Sequence, residues 1–319
     1  MLLICGEALF DLFTTGDAAG ALSFSARMGG SPYNVAVGLA RLGTKVAFLA
    51  GISTDFLGEK LRQSLEAEGV STDFLVPRKE RTTLSLVMLD TAGVPHYSFY
   101  GDGAADRALT PAAIPALEDN ITGLHFGSFS LMCEPTATTL LRLAEKAAGR
   151  LVSLDPNVRL NVVPDIQAWR ARLDQWLRLA HVVKVSLEDL ETLYPATDPI
   201  AVARDWLEKG ASVVVVTRGG DGCIAVTSRF EIVEPAPIVT VVDTVGAGDS
   251  FQAALLHQLA ARGCRHAEHL EALGREALQE MLAFATMAGA LTCESAGADL
   301  PNLDAVRIAV GRGRQIPNR

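Results

Sequence analysis

The segment DTVGAGDSFQAALL, from Asp243 to Leu256, carries the strongest chemical signal in the chain. Two aspartates, Asp243 and Asp249, flank a run that ends in the small residues 246–248. Small residues before an apolar-periodic helix allow several backbone N–H groups to point at one position, and the helix N-terminus adds partial positive charge. The pattern therefore predicts an anion hole that suits a phosphoryl group.

Asp249 lies at the edge of this predicted anion hole. An aspartate at a helix start is commonly an N-cap, whose carboxylate accepts a backbone hydrogen bond. A cap accounts for Asp249 alone. It does not explain the second aspartate, Asp243, the small residues between the two, or the location of the segment directly after a predicted strand. We therefore favour a general base at Asp249 over a simple cap.

A second glycine-rich segment, GGSPYNVAVGLARLG at Gly29–Gly43, precedes a helical pattern. Gly30 permits close approach of a ligand to the backbone, and the Asn34 amide can donate to and accept from hydroxyl groups. Asp11 follows in GEALFD, at the predicted end of the first strand, where a carboxylate can accept two sugar hydroxyls. Taken alone, these signals are also typical of a loop before a core helix and of a solvated acid.

The segment TRGGDG, from Thr217 to Gly222, follows the most apolar predicted strand. A glycine turn at this position can hold the phosphates or the ribose of a nucleotide. It can also be a tight hairpin into the next strand, and the two interpretations are compatible. The chain has no G-x-x-x-x-G-K-[ST] motif, which excludes a Walker-type phosphate loop, and no G-x-G-x-x-G after its first strand.

Short β-branched runs alternate with helical patterns along most of the chain. The predicted strands are Leu2–Cys5, Lys45–Ala50, Leu84–Asp90, Leu151–Asp155, Val182–Val185, Ser212–Thr217 and Cys223–Thr227. The predicted helices are Tyr33–Leu42, Phe56–Glu68, Thr136–Ala148, Ile166–Leu179, Ile200–Lys209, Ser250–Ala261 and Glu271–Leu291. This alternation predicts an α/β fold, a three-layer sandwich with a mainly parallel central sheet between helices.

Two strand-like stretches, at about 12–28 and 82–106, interrupt the alternation. They predict a small β-sheet over the carboxyl ends of the central strands, where ligands of open α/β folds bind, and we interpret this sheet as a lid. An ordinary edge hairpin is the alternative. Because no linker or composition change divides the sequence, we expect a single domain over residues 1–319.

The composition limits the classes of function. Of 319 residues, 49% are hydrophobic and 20% charged, which favours a packed core over disorder. The net charge is −9 and no basic run occurs, so neither nucleic acid nor an anionic membrane is an expected partner. No signal-peptide or membrane-spanning pattern is present, and the five scattered cysteines indicate free thiols. We expect a cytoplasmic protein.

In their order along the chain, these motifs resemble the ribokinase-like, or pfkB-type, carbohydrate kinases. Gly29–Asn34 and GISTDFLGEKL resemble the first family signature, and DTVGAGDSFQAALL resembles the second position by position. GEALFD, FYGDGAADR, DPNVR and KVSLEDL are most similar to the bacterial fructokinase branch. The resemblance implies an α/β kinase with a small β lid that uses ATP and Mg²⁺ to convert D-fructose to fructose 6-phosphate.

The resemblance also implies roles for individual residues. The catalytic base corresponds to Asp249, and the anion hole to Gly246, Ala247 and Gly248. Sugar contacts correspond to Asp11, Gly30, Asn34, Glu134 and Arg159. Nucleotide contacts correspond to Lys184, Thr217, Gly219 and Gly222. A monovalent-cation site, for K⁺, corresponds to Asp243 and the Val245 carbonyl, completed by the loop near Ser295–Ala298.

Two segments depart from the family pattern. Ser186–Asp189 replaces the Asn-x-x-Glu that many members place near magnesium and phosphate. Asp189 can still orient magnesium-bound water, but Ser-x-x-Asp is also a capping box for the following helix. Gly101 stands where fructokinases often have Arg, which removes a cation from the lid and counts against acidic sugars, although Arg159 remains.

Several alternatives stay open at this point. Within the family, the acceptor could be 2-keto-3-deoxygluconate, ribose, a nucleoside or a sugar phosphate. A non-catalytic sugar or nucleotide sensor on the same fold is the alternative from another class, and it would need neither a base nor an anion hole. The exposed edges of a lid sheet also predict pairing with a second copy of the chain, as a homodimer.

Overall fold

The computed structural model describes residues 1–18, 20–89, 95–114, 116–147 and 149–313. Residues 19 and 90–94 of the predicted lid stretches, and Ala148 at the end of a predicted helix, lie outside the described residues. The strands are β1 (Leu2–Cys5), β2 (Leu9–Ala18), β3 (Ala21–Gly29), β4 (Val46–Ser53), β5 (Leu75–Arg78), β6 (Leu84–Leu89), β7 (Pro95–Tyr100), β8 (Gly123–Gly127), β9 (Leu151–Asp155), β10 (Val182–Ser186), β11 (Val213–Thr217), β12 (Cys223–Thr227) and β13 (Glu231–Glu234).

The α-helices follow the strands in frequent alternation. They are α1 (Ser31–Arg41), α2 (Phe56–Ala67), α3 (Thr136–Glu145), α4 (Ile166–Trp176), α5 (Leu187–Leu193), α6 (Pro199–Lys209), α7 (Ala247–Ala261), α8 (Ala267–Glu271), α9 (Arg275–Thr292) and α10 (Leu303–Gly313). Within the described ranges, none of these helices is long and apolar enough to cross a membrane. All five cysteines are free thiols.

The central sheet has nine strands in the order β13-β12-β11-β10-β9-β8-β1-β4-β5. In the run from β11 to β5, each pair of adjacent strands is parallel, and β12 is antiparallel to both β11 and β13. The mainly parallel sheet predicted from the alternation of strands and helices is thereby confirmed. Its strands β1 and β8 to β11 end at one edge, and this edge holds the functional side chains described below.

The strand β11 shows why the sheet is buried on both faces. Val213 and Val215 belong to one apolar cluster and Val214 and Val216 to the other, and each is 0–1% exposed. Because successive side chains of a strand point to opposite faces, a continuous apolar run fits only between two helical layers. Buried residues of α1, α2, α7 and α9 form one layer, and those of α3, α4, α5 and α6 form the other.

A separate four-stranded sheet has the order β3-β2-β6-β7. Strands β2 and β6 are parallel, whereas β2 with β3 and β6 with β7 form antiparallel pairs. Only residues 6–8 connect β1 of the central sheet to β2 of this sheet, and the Phe10 N–H donates to the Thr83 carbonyl at the base of β6. We call this four-stranded sheet the lid.

Candidate active site

A cleft of about 1060 Å³ crosses the carboxyl ends of the central strands. Lid residues form part of its wall, together with residues that follow β1 and β8 (Glu7, Leu9, Asp11, Phe99, Ser128, Phe129). Another part of the wall is formed by the turn after β11, the segment 236–241 and Cys293. Since β1 and β11 are four strands apart, these two parts are separated by about 19 Å, at about 4.8 Å per strand. We call them the lid end and the turn end.

The N-terminus of α7 lies between these two ends. Gly246 precedes the helix with φ 81° and ψ −4°, a left-handed conformation that favours glycine, and a Cβ there would lie 2.6 Å from the Ala298 Cβ. The Ala247 N–H donates to the Thr244 carbonyl at 3.3 Å. The N–H groups of Gly248 and Asp249 are in the first helical turn, where intrahelical acceptors are absent. They can therefore donate to an anion that enters the cleft.

Asp249 faces the cleft at the third residue of α7 and is 9% exposed. One carboxylate oxygen accepts from the Ser31 hydroxyl at 2.6 Å, and the other accepts from the Asn34 amide at 2.8 Å. No side chain caps α7, so the cap interpretation does not describe this carboxylate. Burial raises the pKa of Asp249, while the Ser31 and Asn34 hydrogen bonds and the charge of Lys184 lower it. A carboxylate held in this way can accept a proton from a hydroxyl bound beside it.

A buried ion pair lies directly below the start of α7. The Lys184 ammonium donates to Asp155 at 2.9 Å, and the two side chains are 5% and 0% exposed. A Cβ at Gly248 would lie 3.0 Å from Lys184 Nζ, so the cation sits against the predicted anion hole. Burial lowers the pKa of Lys184, but the charges of Asp155, Asp249 and Asp189 outweigh that effect and raise it. The site therefore contains a fixed positive charge beside unpaired backbone donors.

Ser186 and Asp189 occupy the start of α5 at the end of β10. The Ser186 hydroxyl accepts from the Asp189 N–H at 3.0 Å, as the capping interpretation of Ser-x-x-Asp predicts. The Asp189 carboxylate instead accepts from the Val158 N–H at 3.1 Å, and it lines the cleft. Burial raises its pKa, and the negative charge of Asp155 adds to that effect. A cation near this pair of carboxylates would relieve the repulsion.

Asp11 lies inside β2 of the lid, and its predicted position at the end of the first strand is wrong. The chain leaves β1 at Cys5, turns at Gly6 and returns to strand structure at Leu9. The sequence GEALFD does not reveal this break, because only Gly6 is a turn residue. Asp11 nevertheless lines the cleft, as expected.

The surroundings of Asp11 are polar and partly closed to water. Burial raises its pKa, whereas the Ser85 hydroxyl and the positive charge of Arg159 lower it. Arg159 and Gly30 also line the cleft. Four predicted sugar-binding residues therefore line the same cleft as Asp249: Asp11, Gly30, Asn34 and Arg159. Asn34 has a further contact, because its amide already donates to the Asp249 carboxylate.

Glu134 is not brought to the cleft with the other predicted sugar contacts. It is exposed, and its carboxylate accepts from Thr138 at 2.7 Å and from Arg172 at 2.6 Å. After β8, Ser128–Leu131 forms a short 3-10 helix, which places Glu134 beyond the turn and outside the cleft wall. Phe129 and Ser128 of that turn reach the cleft instead.

The turn after β11 contains the predicted nucleotide-binding residues. Thr217, Gly219 and Gly222 line the cleft, and β11 returns as the antiparallel β12, so the hairpin interpretation is correct, while nucleotide binding by this turn stays a prediction. Gly222 has φ 83°, and a Cβ there would lie 2.0 Å from the Glu234 carbonyl oxygen. The hairpin thus packs directly against the segment that continues into the cleft wall at 236–241.

Asp243 links the two loops predicted to form the monovalent-cation site. Its carboxylate accepts from the Val245 N–H at 3.1 Å and from the Gly297 N–H at 2.7 Å. The loop 295–298 therefore lies beside 243–246, as the resemblance implies. Each Asp243 oxygen accepts one backbone hydrogen bond and keeps a lone pair, so the carboxylate and the Val245 carbonyl could both supply ligands to a cation.

Sequence reasoning missed three contributors to this site. Ser31 follows the paired glycines, but nothing in GGSPYN distinguishes a hydroxyl that donates to Asp249 from an ordinary first-turn serine. Asp155 was noticed only as part of DPNVR, and its pairing with Lys184 joins residues 29 positions apart. Glu7 lines the lid end of the cleft, and its type and position in GEALFD gave no separate signal.

Comparison with known proteins agrees with this geometry. A model described as the pfkB family carbohydrate kinase matches residues 2–305. The chain belongs to the pfkB family of carbohydrate kinases.

Relatives within the pfkB family include several fructokinases. A fructokinase from Rhizobium leguminosarum bv. trifolii is 38% identical over 260 residues, which cover 81% of this chain and 79% of the relative. The structure of a fructokinase with bound ATP from Xylella fastidiosa has a TM-score of 0.90 and 30% identity, with 99% of both chains covered. A fructokinase from Vibrio cholerae O395 in its fructose, ADP and calcium ion bound form has a TM-score of 0.82 and 27% identity, with 98% of this chain and 97% of that chain covered.

These neighbours confirm the predicted fold class for this pfkB kinase, a mainly parallel sheet between helical layers with a small β lid. They also make it a phosphotransferase whose acceptor is a sugar hydroxyl.

Gly222→Ala tests the turn end of this pfkB kinase. We expect the KM for ATP to rise about tenfold or more, because the new Cβ would displace the backbone at Glu234 and strain a left-handed residue by about 1–3 kcal/mol. Steady-state kinetics with varied ATP measure the effect. Gly311→Ala is the matched control, since a Cβ there meets open space on α10. An unchanged KM for ATP would show that this turn does not contribute to nucleotide binding.

The pH dependence of stability tests the lid end. Burial raises the pKa of Glu7 to about 7, from 4.5 in an unfolded chain. The folded state therefore binds more protons than the unfolded state between these values, so the associated stability is complete below pH 4.5 and is lost as the pH rises through 7. We expect the free energy of unfolding, measured with urea, to decline between pH 4.5 and 7 in the wild type. The decline should be shallower in Glu7→Gln, because glutamine cannot ionise. Parallel curves for the two proteins would contradict the raised pKa.

Proposed function

We propose that this protein is an ATP-dependent fructokinase that converts D-fructose and ATP to fructose 6-phosphate and ADP. The observation that carries the proposal is the position of Asp249. It is a buried carboxylate at a helix N-terminus, inside a cleft that also holds the polar lid end and the glycine turn after β11. The fructokinases among its relatives support fructose as the acceptor.

The lid end suits a neutral polyhydroxylated acceptor. The carboxylate of Asp11 can accept two hydroxyl groups, and the guanidinium of Arg159 can donate to others. Phe99 and Phe129 pack edge to face, with ring centroids 5.8 Å apart, and both line the cleft. Their apolar surface can cover the C–H groups of a sugar. In this arrangement the attacking hydroxyl is directed towards Asp249.

Asp249 acts as the general base in the proposed step. The hydrogen bonds from Ser31 and Asn34 fix the carboxylate plane and leave each oxygen one lone pair free. The acceptor hydroxyl transfers its proton to Asp249 as its oxygen attacks the γ-phosphorus, and ADP leaves in line. Because phosphoryl transfer depends mainly on positioning and charge stabilisation, the orientation of the base matters more than its basicity.

Two kinds of group can stabilise the negative charge of the transferred phosphoryl group. The Gly248 and Asp249 N–H groups at the start of α7 provide the anion hole, beside Gly246 and Ala247. Lys184 provides a full positive charge, and its Nζ lies 3.0 Å from the position that a Cβ at Gly248 would occupy. Fixed donors are effective here because they need no reorganisation as charge redistributes. Thr217, Gly219 and Gly222 then hold the rest of the nucleotide at the turn end.

The residues present also fit the expected metal ions. Among the described residues no cluster of three His, Cys, Asp or Glu side chains could hold a metal alone, but Mg²⁺ is commonly bound by one or two carboxylates together with substrate phosphates and water. Asp189 fits such a role through water. When bound, Mg²⁺ supplies charge neutralisation to the phosphates. A K⁺ site would use the Val245 carbonyl in the loop that Asp243 holds.

A panel of acceptors tests this proposal. We expect ADP release to be fastest with D-fructose, and slower with 2-keto-3-deoxygluconate, ribose, a nucleoside and fructose 6-phosphate. A faster rate with one of these would reassign the acceptor. Binding of sugar and ATP without ADP release would instead favour the non-catalytic sensor, and would overturn the proposal.

We further propose that two copies pair through the lid and that the protein works in the cytoplasm. The outer side of the lid exposes large apolar side chains (Leu22 61%, Phe24 41%, Met28 39%, Met88 47%). Such surfaces on a sheet with open edges favour pairing with another sheet. Sedimentation of the protein and of Phe24→Glu tests the dimer, which the added charge should dissociate. A wild-type monomer at micromolar concentration would contradict it.

A further inference from the structure

Glu7 is a second acid at the lid end for which the proposed function has given no role. It lies in the three-residue connection between β1 and β2, and it is 1% exposed. Glu7, Leu9 and Asp11 all line the cleft, whereas Ala8 and Phe10 belong to the apolar core. Alternate residues of an extended chain face the same side, so GEALFD places Glu7 and Asp11 along one edge of the cleft.

Neither carboxyl oxygen of Glu7 has a hydrogen-bond donor among the described residues. The hydroxyls of Ser128 and Ser130 lie near the carboxyl group and lower its pKa, but neither makes a hydrogen bond of normal geometry to it, and the Ser130 hydroxyl donates to the Gly127 carbonyl at 2.7 Å. Most buried polar groups in proteins have a partner, and leaving one unpaired is costly. An unpaired, buried carboxyl group in the wall of a ligand cleft therefore indicates that the ligand supplies the missing partner.

The charges around Glu7 favour a hydroxyl partner over a cation. Burial is the main reason that the pKa of Glu7 rises to about 7, and the nearby charge of Asp106 adds to it. Arg107 supplies a positive charge in the same region, with its guanidinium 5.1 Å from the Phe129 ring centroid. A carboxyl group that is protonated for part of the time near neutral pH can both donate to and accept from a hydroxyl group.

We propose that Glu7 is a specificity-determining residue that binds one hydroxyl of the acceptor sugar, at a position other than the hydroxyl that attacks ATP. The proposal rests on the proposed sugar kinase activity. Asp249 and Asp11 each hydrogen-bond different hydroxyl groups of the acceptor, and Glu7 hydrogen-bonds a further one at the closed side of the cleft. An acceptor without that hydroxyl leaves the buried Glu7 unpaired, so it is discriminated against.

Monodeoxy analogues of fructose, each lacking one non-reacting hydroxyl, test this contact. The values of kcat/KM are measured for the wild type, Glu7→Met and Glu7→Gln, with Glu208→Met on the exposed side of α6 as the matched control. In the wild type and the control, we expect one analogue to be about 10–100-fold worse than fructose through loss of this contact. In Glu7→Met the ratio for that analogue should fall towards one, while the ratios for the other analogues stay unchanged. Glu7→Gln should retain part of the discrimination.

The outcomes separate this inference from the proposed function. If the wild type is active and Glu7→Met and Glu7→Gln keep every deoxy-to-fructose ratio of the wild type, Glu7 does not touch the acceptor and the inference is wrong. A purely structural role predicts that result, because lower activity then affects all acceptors equally. If Glu7→Met fails to fold, Glu7→Gln alone decides, since it keeps the shape of the side chain. Absence of turnover by the wild type on every sugar would overturn the proposed function together with this inference.

Discussion

Asp249→Asn is expected to lower kcat by about 10²–10⁴-fold, the usual contribution of a general base. The amide keeps the size of the carboxyl group but cannot take the proton of the attacking hydroxyl. Stopped assays with saturating fructose and ATP measure the loss, and calorimetry should show that both substrates still bind. Because burial raises the pKa of Asp249, we also expect kcat/KM of the wild type to fall as the pH drops through that raised pKa, which protonates the base.

The control for this prediction is Asp304→Asn, which makes the same chemical change at an exposed residue in the first turn of α10. It should leave turnover unchanged. Near-normal turnover of Asp249→Asn, in a protein that unfolds like the wild type, would remove Asp249 from the proton-transfer step. The hydroxyl would then need another acceptor in the cleft.

Lys184→Met is expected to cost both activity and stability. It leaves Asp155, which is 0% exposed, without its partner, and breaking a buried ion pair from one side costs about 3–5 kcal/mol. It also removes the positive charge beside Gly248, so we expect kcat to fall by about 10²-fold or more, as it does when a stabilising donor is removed. Urea unfolding and steady-state kinetics report the two effects separately.

The double variant Lys184→Met with Asp155→Asn distinguishes these two roles. Removing the charge of Asp155 should restore much of the lost stability, because no uncompensated charge remains buried. Activity should stay low, because the cation beside the anion hole is still missing. Recovery of activity along with stability would mean that Lys184 supports the fold and does not act on phosphate.

The parts of the fold that could be predicted are those fixed by local pattern. The strands Leu2–Cys5 and Leu151–Asp155 have the predicted bounds, because fully buried parallel strands are short apolar runs that end at a polar residue or a turn. The helix α7 starts at Ala247 and not at Ser250, since the left-handed Gly246 ends the loop earlier than apolar periodicity indicates. The strand β5 was missed because LVPR contains proline and only β4 supports it.

The candidate site was predictable where several signals coincide in one segment. The two aspartates and three small residues around Gly246 were enough to predict that Asp249 lies in the cleft at the start of a helix. The contacts that orient it were not, because Ser31 and Asn34 are more than 200 residues away in the chain. Glu134 was predicted to contact the sugar because its sequence neighbours do not reveal the 3-10 turn after β8 or the ion pair with Arg172.

The lid and the groups that orient Asp249 belong to one continuous stretch of chain. Strand β3 of the lid ends at Gly29, and after Gly30 the helix α1 begins at Ser31, whose hydroxyl donates to Asp249. A displacement of the lid strand therefore shifts the donor that aligns the base. The segment that ends the lid thus also carries the hydroxyl that orients the carboxylate, so substitutions in β3 that move its end should also change the alignment of Asp249.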